Sequence, residues 1–159
     1  MTIVREYRAE DKQRLRMLAM QNYATLMPES QSAESPADGS ETYFEHILQM
    51  QLGGKGFIYV AEENDSLSGF VCLLAPVNPV EGGSNEAPYG FMSDLFVVPE
   101  RRRQGIATLL NAQVEKQMRA LGITQLALRV AANNVTARDF YRRKHYGEQF
   151  VVMSKQIRP

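Results

Sequence analysis

Three consecutive arginines and a glycine, set between an apolar run and a periodic segment, are the residues of this sequence best suited to chemistry. Arginines 101–103 are followed by Gln104 and Gly105, and residues 106–121 then place apolar side chains at helical spacing. The first turn of a helix presents unpaired backbone N–H groups and a partial positive charge, which together favour a bound phosphate. Gly105 lets a ligand approach the backbone closely, because it has no Cβ atom. The sequence therefore predicts an anion-binding turn, and the alternative is a solvated arginine run before an ordinary helix.

Two common phosphate-binding motifs do not explain this turn. No Gly-Lys-Ser or Gly-Lys-Thr follows Gly105, so the turn is not a Walker loop. The glycine spacing around it also differs from that of the dinucleotide fingerprint.

The elements that must position this turn follow from hydrophobic periodicity, which predicts the order β-α-α-β-β-β-α-β-α-β. Predicted strands cover residues 2–8, 57–62, 70–75, 89–98, 123–130 and 149–157. Predicted helices cover residues 11–27 and 106–121, a segment from an N-cap at Ser40 to about Leu52, and a segment that opens at Asn133 and Asn134. Hairpins come first and a strand–helix–strand unit follows, which indicates an α+β domain with a mixed sheet.

Composition limits the class of protein. The chain has 159 residues, 44% hydrophobic and 23% charged, which predicts a single domain over 1–159. The formal net charge is zero, which gives no support for binding to nucleic acid or to an anionic membrane. Cys72 is the only cysteine, so no intrachain disulfide forms. No apolar stretch is long enough to span a bilayer and the N-terminus lacks a signal-peptide core, so we expect a soluble, cytoplasmic protein.

Three stretches resemble motifs of the GCN5-related N-acetyltransferases, the GNAT family. Residues 102–107 resemble its pyrophosphate-binding motif Gln/Arg-x-x-Gly-x-Gly/Ala, and residues 95–100 resemble its fourth strand. The pattern Asn134-x-x-Ala137-x-x-x-Tyr141 resembles its second cofactor-side motif. The three occur in family order and at family spacing, and the predicted element order matches the family topology over essentially the whole chain.

The resemblance implies both a fold and a co-substrate. The fold would be α+β, a GNAT-like mixed, mostly antiparallel β-sheet with helices on both faces, splayed between the fourth and fifth strands. The co-substrate would be acetyl-CoA, with no metal. The residues implied to bind it are Leu95, Phe96, Val97, Arg102, Arg103, Gln104, Gly105, Ile106, Ala107, Thr108, Asn134 and Tyr141.

The resemblance also implies a reaction, the direct transfer of acetyl from acetyl-CoA to a primary amine of a small molecule or peptide. Tyr141 resembles the general acid of the family, which shares its proton with the departing thiolate; the alternative is a core aromatic residue. The family's usual acidic positions on the fifth and fourth strands hold Arg129 and Phe91 here, so Asp94 is the remaining acid near the reaction centre. Asp94 would bind a cationic acceptor or act through water, unless it is only a hydrogen-bonded or salt-bridged strand residue.

Several questions stay open at the level of sequence. Glu81 and Glu86, in a long loop over 76–88, are further acidic candidates for contact with the acceptor. His145 stands where the family usually has glycine, so a positive φ there would be less comfortable. A CoA-binding sensor without turnover and a purely structural domain are the rival functions. The sequence also allows a homodimer, although no residue in it specifies a subunit interface.

Overall fold

A five-stranded sheet organises the chain in a computed structural model, which describes residues 1–26, 36–79 and 87–158, with side chains from residue 39 onward in the second range. The strands are β1 (Ile3–Glu6), β2 (Gly56–Glu63), β3 (Ser66–Val77), β4 (Tyr89–Val97) and β5 (Leu126–Leu128). The helices are α1 (Lys12–Leu26), α2 (Pro36–Met50), α3 (Ile106–Ala120) and α4 (Val135–Arg143). Short helical turns cover Ala9–Asp11, Gln51–Lys55 and Pro99–Arg101.

The sheet is mixed and mostly antiparallel, as predicted. Its strands lie in the order β1-β2-β3-β4-β5, with three antiparallel pairs and a parallel pair between β4 and β5. The turn between β2 and β3 consists of Asn64 and Asp65, both with positive φ. Asn and Asp tolerate this conformation, and a two-residue turn of this kind matches the twist of the two strands.

Helices cover both faces of the sheet, which confirms the predicted layers. On one face, apolar residues of α1 and α2 such as Leu15 and Phe44 form a core with Phe70, Cys72 and Phe96 of the sheet. On the other face lies α3, where the Tyr59 hydroxyl of β2 donates to Gln117 Oε1 at 3.0 Å. Within the described ranges, no helix combines the length and the apolar character needed to span a bilayer.

The fourth and fifth strands separate partway along β4, as the resemblance implied. Their pairing runs from Gly90 opposite Leu126 to Met92 opposite Leu128, where β5 ends. The strand β4 continues to Val97. Residues 94–97 therefore pair with β3 but not with β5, and along them the other backbone edge of β4 has no strand partner among the described residues.

Two predicted elements differ from the structure. Ser40 is not an N-cap, because α2 already begins at Pro36, and proline suits a first helical turn since its φ is fixed and it needs no N–H partner there. No strand forms over 149–157. Phe150, Val151 and Val152 favour strands by residue type, but a strand also needs a neighbour to bond with, and these side chains are exposed.

The chain divides into two compact units, Met1–Leu128 and Arg129–Pro159. The first contains the sheet with α1, α2 and α3, and the second contains α4.

A buried ion-pair cluster fastens β1 to the start of α1. The Asp11 carboxylate is fully buried and accepts hydrogen bonds from Arg5 at 2.6 and 2.9 Å, from Arg14 at 2.6 Å and from the Arg8 N–H at 2.9 Å. The Arg5 guanidinium is the main reason that the pKa of Asp11 falls from 3.8 to about 2. A carboxyl with a lowered pKa stabilises the fold fully above its unfolded-state pKa and loses that effect as the pH falls through its folded-state pKa.

Replacing Asp11 by asparagine is therefore expected to lower the free energy of unfolding at pH 7 by about 3 kcal/mol, because two arginines lose their buried partner. About 2 kcal/mol of the wild-type advantage should disappear between pH 4 and pH 2, since protonation removes the same charge. Urea unfolding at pH 7 and at several values between pH 4 and pH 2 measures both losses of stability. Asp139→Asn is the control, because Asp139 forms an exposed pair with Arg142 at 3.4 Å; an equal loss in the two variants would contradict the prediction.

Candidate functional site

The open edge of β4 presents the backbone of alternate residues. The Val98 N–H donates to the Ser68 carbonyl at 2.9 Å, and Phe96 stands opposite Phe70 in the same register. Backbone groups alternate sides along an antiparallel strand, so the N–H and C=O of Leu95 and Val97 face away from β3. Among the three strand residues implied to bind acetyl-CoA, Leu95 and Val97 have backbone groups at the open edge, whereas those of Phe96 face β3.

Arg102 connects this edge to the turn that follows. Its Nε donates to the Val97 carbonyl at 3.0 Å, and its guanidinium carbon lies 5.9 Å from the centroid of the Phe96 ring. The Phe96 side chain is itself buried against Phe70. The position of Arg102 is therefore set by a buried ring and a backbone carbonyl, although its side chain is exposed.

The turn before α3 has the left-handed backbone that a close-fitting anion site requires. Arg103 has φ +63° and Gly105 has φ +83°, and a Cβ atom added at Gly105 would meet no atom within 4 Å. The first closed helical bond joins the Leu109 N–H to the Gly105 carbonyl at 3.1 Å. The amides of residues 106–108 precede that bond and have no partner within the helix, so they are the donors that a phosphate would use.

The arginines of the run have separate roles. Arg101 turns back to β2 and pairs with Glu63, and this hydrogen bond is the main cause that lowers the pKa of the Glu63 carboxyl. Arg103 and Gln104 are exposed beside the turn, where Gln104 Nε2 donates to the Glu100 carbonyl at 3.3 Å. The turn therefore contributes Arg102 and Arg103 as exposed cations, while Arg101 is part of the framework.

Asp94 lies in a polar cluster on the face of the sheet that α1 and α2 cover. Its Oδ1 accepts a hydrogen bond from the Tyr43 hydroxyl and its Oδ2 accepts one from the Ser93 hydroxyl at 2.7 Å. Asn22 Nδ2 donates to the Tyr43 oxygen at 2.7 Å and lies 3.5 Å from Asp94 Oδ1. Three elements that are distant in sequence thus place donors around one carboxylate.

The electrostatics of this cluster keep the tyrosine protonated. Burial, and then the negative charge of Asp94, raise the pKa of Tyr43 far above its ordinary value. Burial, followed by the same charge, also raises the pKa of the Cys72 thiol, which stands opposite Asp94 in the sheet. Tyr43 is therefore a permanent hydrogen-bond donor to Asp94, and Cys72 is an inert core residue.

Sequence reasoning identified Asp94 but missed Asn22 and Tyr43. A signal for Asn22 was present, because it extends the apolar stripe Leu15, Leu18 and Ala19 and is a buried polar residue at a core position. Tyr43 precedes Phe44 in α2 and carries no such signal. Glu81 and Glu86, the other acidic candidates, lie outside the described residues.

The second unit holds the two remaining predicted residues. Asn134 is the N-cap of α4, where its Oδ1 accepts from the Ala137 N–H at 3.1 Å. Tyr141 lies on α4 with its ring edge-on to Phe140 and Tyr146, at centroid distances of 5.2 and 5.3 Å. His145 has φ +65°, the conformation that glycine usually supplies after a helix.

Comparisons with known proteins identify the family of this chain. The family model for the acetyltransferase (GNAT) family matches residues 20–146. An aminoglycoside N(6')-acetyltransferase type 1 of Acinetobacter haemolyticus is 32% identical over 77 residues, which cover 47% of this chain. The matched segment spans only 53% of that relative. YycN of Bacillus subtilis, described as an uncharacterized N-acetyltransferase, is 28% identical over 144 residues, covering 89% of this chain and 74% of YycN.

Solved structures share the fold. The aminoglycoside acetyltransferase AAC(6')-Iy, in complex with a CoA bisubstrate analogue, is 20% identical with a TM-score of 0.73, covering 100% of this chain and 99% of that one. The PaiA N-acetyltransferase of Thermoplasma acidophilum, in complex with coenzyme A, is 22% identical with a TM-score of 0.72, covering 91% and 88%. Because the family model covers most of the sequence, from within α1 to beyond α4, the chain belongs to the GNAT acetyltransferase family.

Proposed function

We propose that this chain is an acetyl-CoA-dependent N-acetyltransferase that moves an acetyl group directly to a primary amine of a small molecule or peptide. The observation that carries the proposal is the connection through Arg102 of an open strand edge to a glycine-led helix N-terminus. An edge with free amides suits the amide-bearing arm of CoA, and the helix N-terminus suits its pyrophosphate. The relatives and solved structures named above support the same activity.

The residues of the first unit fit this co-substrate. The amides of residues 106–108 and the side chains of Arg102, Arg103 and Gln104 would hold the phosphates, and the space beside Gly105 would admit them. The outward N–H and C=O groups of Leu95 and Val97 would pair with the arm. Because Arg102 Nε already bonds the Val97 carbonyl, binding of the arm at that carbonyl would require Arg102 to share it or to turn toward the phosphates.

The proposed transfer has a simple balance of bonds and protons. Acetyl-CoA supplies the acetyl group as a thioester; the amine nitrogen forms a bond to the acetyl carbon as the carbon–sulfur bond breaks. The outward N–H of Leu95 would stabilise the negative charge that develops on the carbonyl oxygen. Tyr141 would give a proton to the sulfur, Asn134 would contact the arm, and Asp94 would contact the acceptor or take its proton through water.

The proposal also covers the cellular location, the kind of acceptor and the oligomeric state. We infer a cytoplasmic enzyme that acts on a soluble amine rather than on nucleic acid or a membrane. A homodimer is compatible with this activity.

A CoA-binding sensor is the rival, and Phe91 is the observation in its favour. Phe91 occupies a position where related enzymes carry a glutamate base, and it lies between Leu74 of β3 and Ala127 of β5 as an apolar strand residue. A sensor would bind acetyl-CoA and release no thiol.

Calorimetry with acetyl-CoA, followed by detection of free thiol with a panel of primary amines, separates these functions. We expect saturable binding and thiol release that depends on the amine, with the amine-free reaction as control. Binding without release for any amine would support the sensor, and the absence of binding would reject both functions.

A further inference from the structure

Asp94 is an unusual carboxylate, because its charge has no positive partner in the described part of the chain. Its hydrogen-bond donors are neutral: the hydroxyls of Tyr43 and Ser93, and more distantly the amide of Asn22. Asp11 shows the ordinary arrangement, since its buried carboxylate faces two arginines. Both carboxylates are anchored by side chains, but only the charge of Asp11 is compensated.

The remainder of the sequence does not supply the missing cation. The segments 27–35 and 80–86, which lie outside the described residues, contain no Lys, Arg or His. Their titratable residues are Glu29, Glu34, Glu81 and Glu86. Whatever their conformation, these segments add negative rather than positive charge.

The neutral donors orient the carboxylate without neutralising it. An ionised carboxylate has about four acceptor positions. Tyr43 and Ser93 fill one on each oxygen, and the 3.5 Å approach of Asn22 is at most a weak third. An acceptor position and a full negative charge therefore remain, on a side chain that is only partly buried. A cation with N–H donors matches both.

The location of this charge relates it to the reaction proposed above. Asp94 is adjacent in β4 to Leu95, whose N–H faces the open edge of the strand. Beside Tyr43 lies the ring of Tyr23, at a centroid distance of 5.6 Å and also partly buried. Aromatic faces attract alkylammonium groups and pack against their methylene chains.

We propose that Asn22, Tyr43 and Asp94 form a subsite that binds the acceptor as an alkylammonium ion. Asp94 contacts the cation, and Tyr43 and Asn22 are positioning residues that hold the carboxylate in place. The acceptor class is then a cationic alkylamine, and a neutral or anionic amine is disfavoured. The inference rests on the proposed acetyltransferase function, but binding tests it separately from turnover.

The experiment uses n-butylamine and 1,4-diaminobutane, both cationic at pH 7, with n-butanol as the neutral probe of the same length. Binding to the whole protein is followed by NMR titration, and acetylation is followed by thiol release. For wild type we expect binding of both amines and at least tenfold weaker binding of n-butanol. Asp94→Asn should abolish the preference for the charged probes.

The positioning role is tested by Tyr43→Phe, which removes one hydroxyl and keeps the ring. We expect about a tenfold loss in amine affinity and a matching rise in the KM for the amine, because one hydrogen bond to a charged group is lost. The KM for acetyl-CoA should not change. Tyr59→Phe is the matched control, because the buried Tyr59 hydroxyl donates to Gln117 on the other face of the sheet.

The outcomes are distinct. Equal amine affinity in Tyr43→Phe and Tyr59→Phe, or equal binding of n-butanol and n-butylamine by wild type, would overturn the subsite. Charge-selective binding that depends on Tyr43, without thiol release, would support the subsite and reject the acetyltransferase function. Thiol release with the amines, together with equal binding of n-butanol and n-butylamine, would support the acetyltransferase function and overturn the subsite.

Discussion

Replacement of Gly105 by valine is expected to weaken binding of acetyl-CoA by about 10- to 100-fold, the loss that corresponds to one or two hydrogen bonds to a charged group. Gly105 has φ +83°, and its missing side chain faces space in which no protein atom lies within 4 Å. A valine there would project into the volume that the phosphates need, and its β-branched side chain would disfavour the backbone conformation that aims the amides of residues 106–108. Calorimetry with acetyl-CoA measures the effect.

Gly122 provides a control at the opposite end of the same helix. It has φ +68°, and a Cβ atom added there also meets nothing within 4 Å. A valine at either position carries a similar backbone strain, of about 1–2 kcal/mol or more. Both variants should therefore melt at lower temperature than wild type, but only Gly105→Val should lose affinity. Similar affinity losses in the two variants would show that the turn is merely structural and would remove the main support for the phosphate site.

The fold was predictable where local pattern and pairing agree. Two apolar runs, at 57–62 and 70–75, predict β2 and β3, and the polar, glycine-containing residues between the runs predict the turn that joins the two strands. The strand predicted at 149–157 was wrong for the converse reason: its residue types favour extended backbone, but residue type does not identify a partner strand. Ser40 was misplaced because two start signals compete, and the proline four residues earlier begins the helix.

The candidate site was likewise predictable where it depends on local sequence, and not where it depends on contacts between distant residues. Gly105 could be identified from its type and from the helix that follows, because both are local. The different roles of Arg101 and Arg102 could not be predicted, because they depend on which residue of the sheet each side chain contacts. The cluster around Asp94 was hidden for the same reason, since Tyr43 lies 51 residues and Asn22 lies 72 residues before it in sequence.

Replacement of Tyr141 by phenylalanine is expected to lower kcat for acetyl transfer by about 10²-fold, at the lower end of what general acid catalysis contributes. Without a proton donor the sulfur must leave as a thiolate, whereas in its proposed role the phenol of Tyr141 shares its proton as charge develops on the sulfur. The substitution changes no residue of the proposed phosphate site at 102–108 or of the β4 edge. Affinity for acetyl-CoA should therefore stay within about twofold of wild type, a small change on the 1.4 kcal/mol scale of a tenfold effect. Single-turnover rates measure the chemical step, because product release does not contribute to them.

Tyr146→Phe is the matched control for Tyr141→Phe. The two tyrosines stack edge-on at 5.3 Å in the same unit, and each substitution removes one phenolic hydroxyl while it keeps the ring contact. If Tyr141 acts only by packing, both variants should retain wild-type turnover, because both rings remain. If the hydroxyls act only by holding α4 in place, both variants should lose turnover and thermal stability together. Only a selective loss of kcat in Tyr141→Phe, with the melting temperature and acetyl-CoA affinity preserved, supports proton transfer to sulfur, because no packing or folding role predicts that combination.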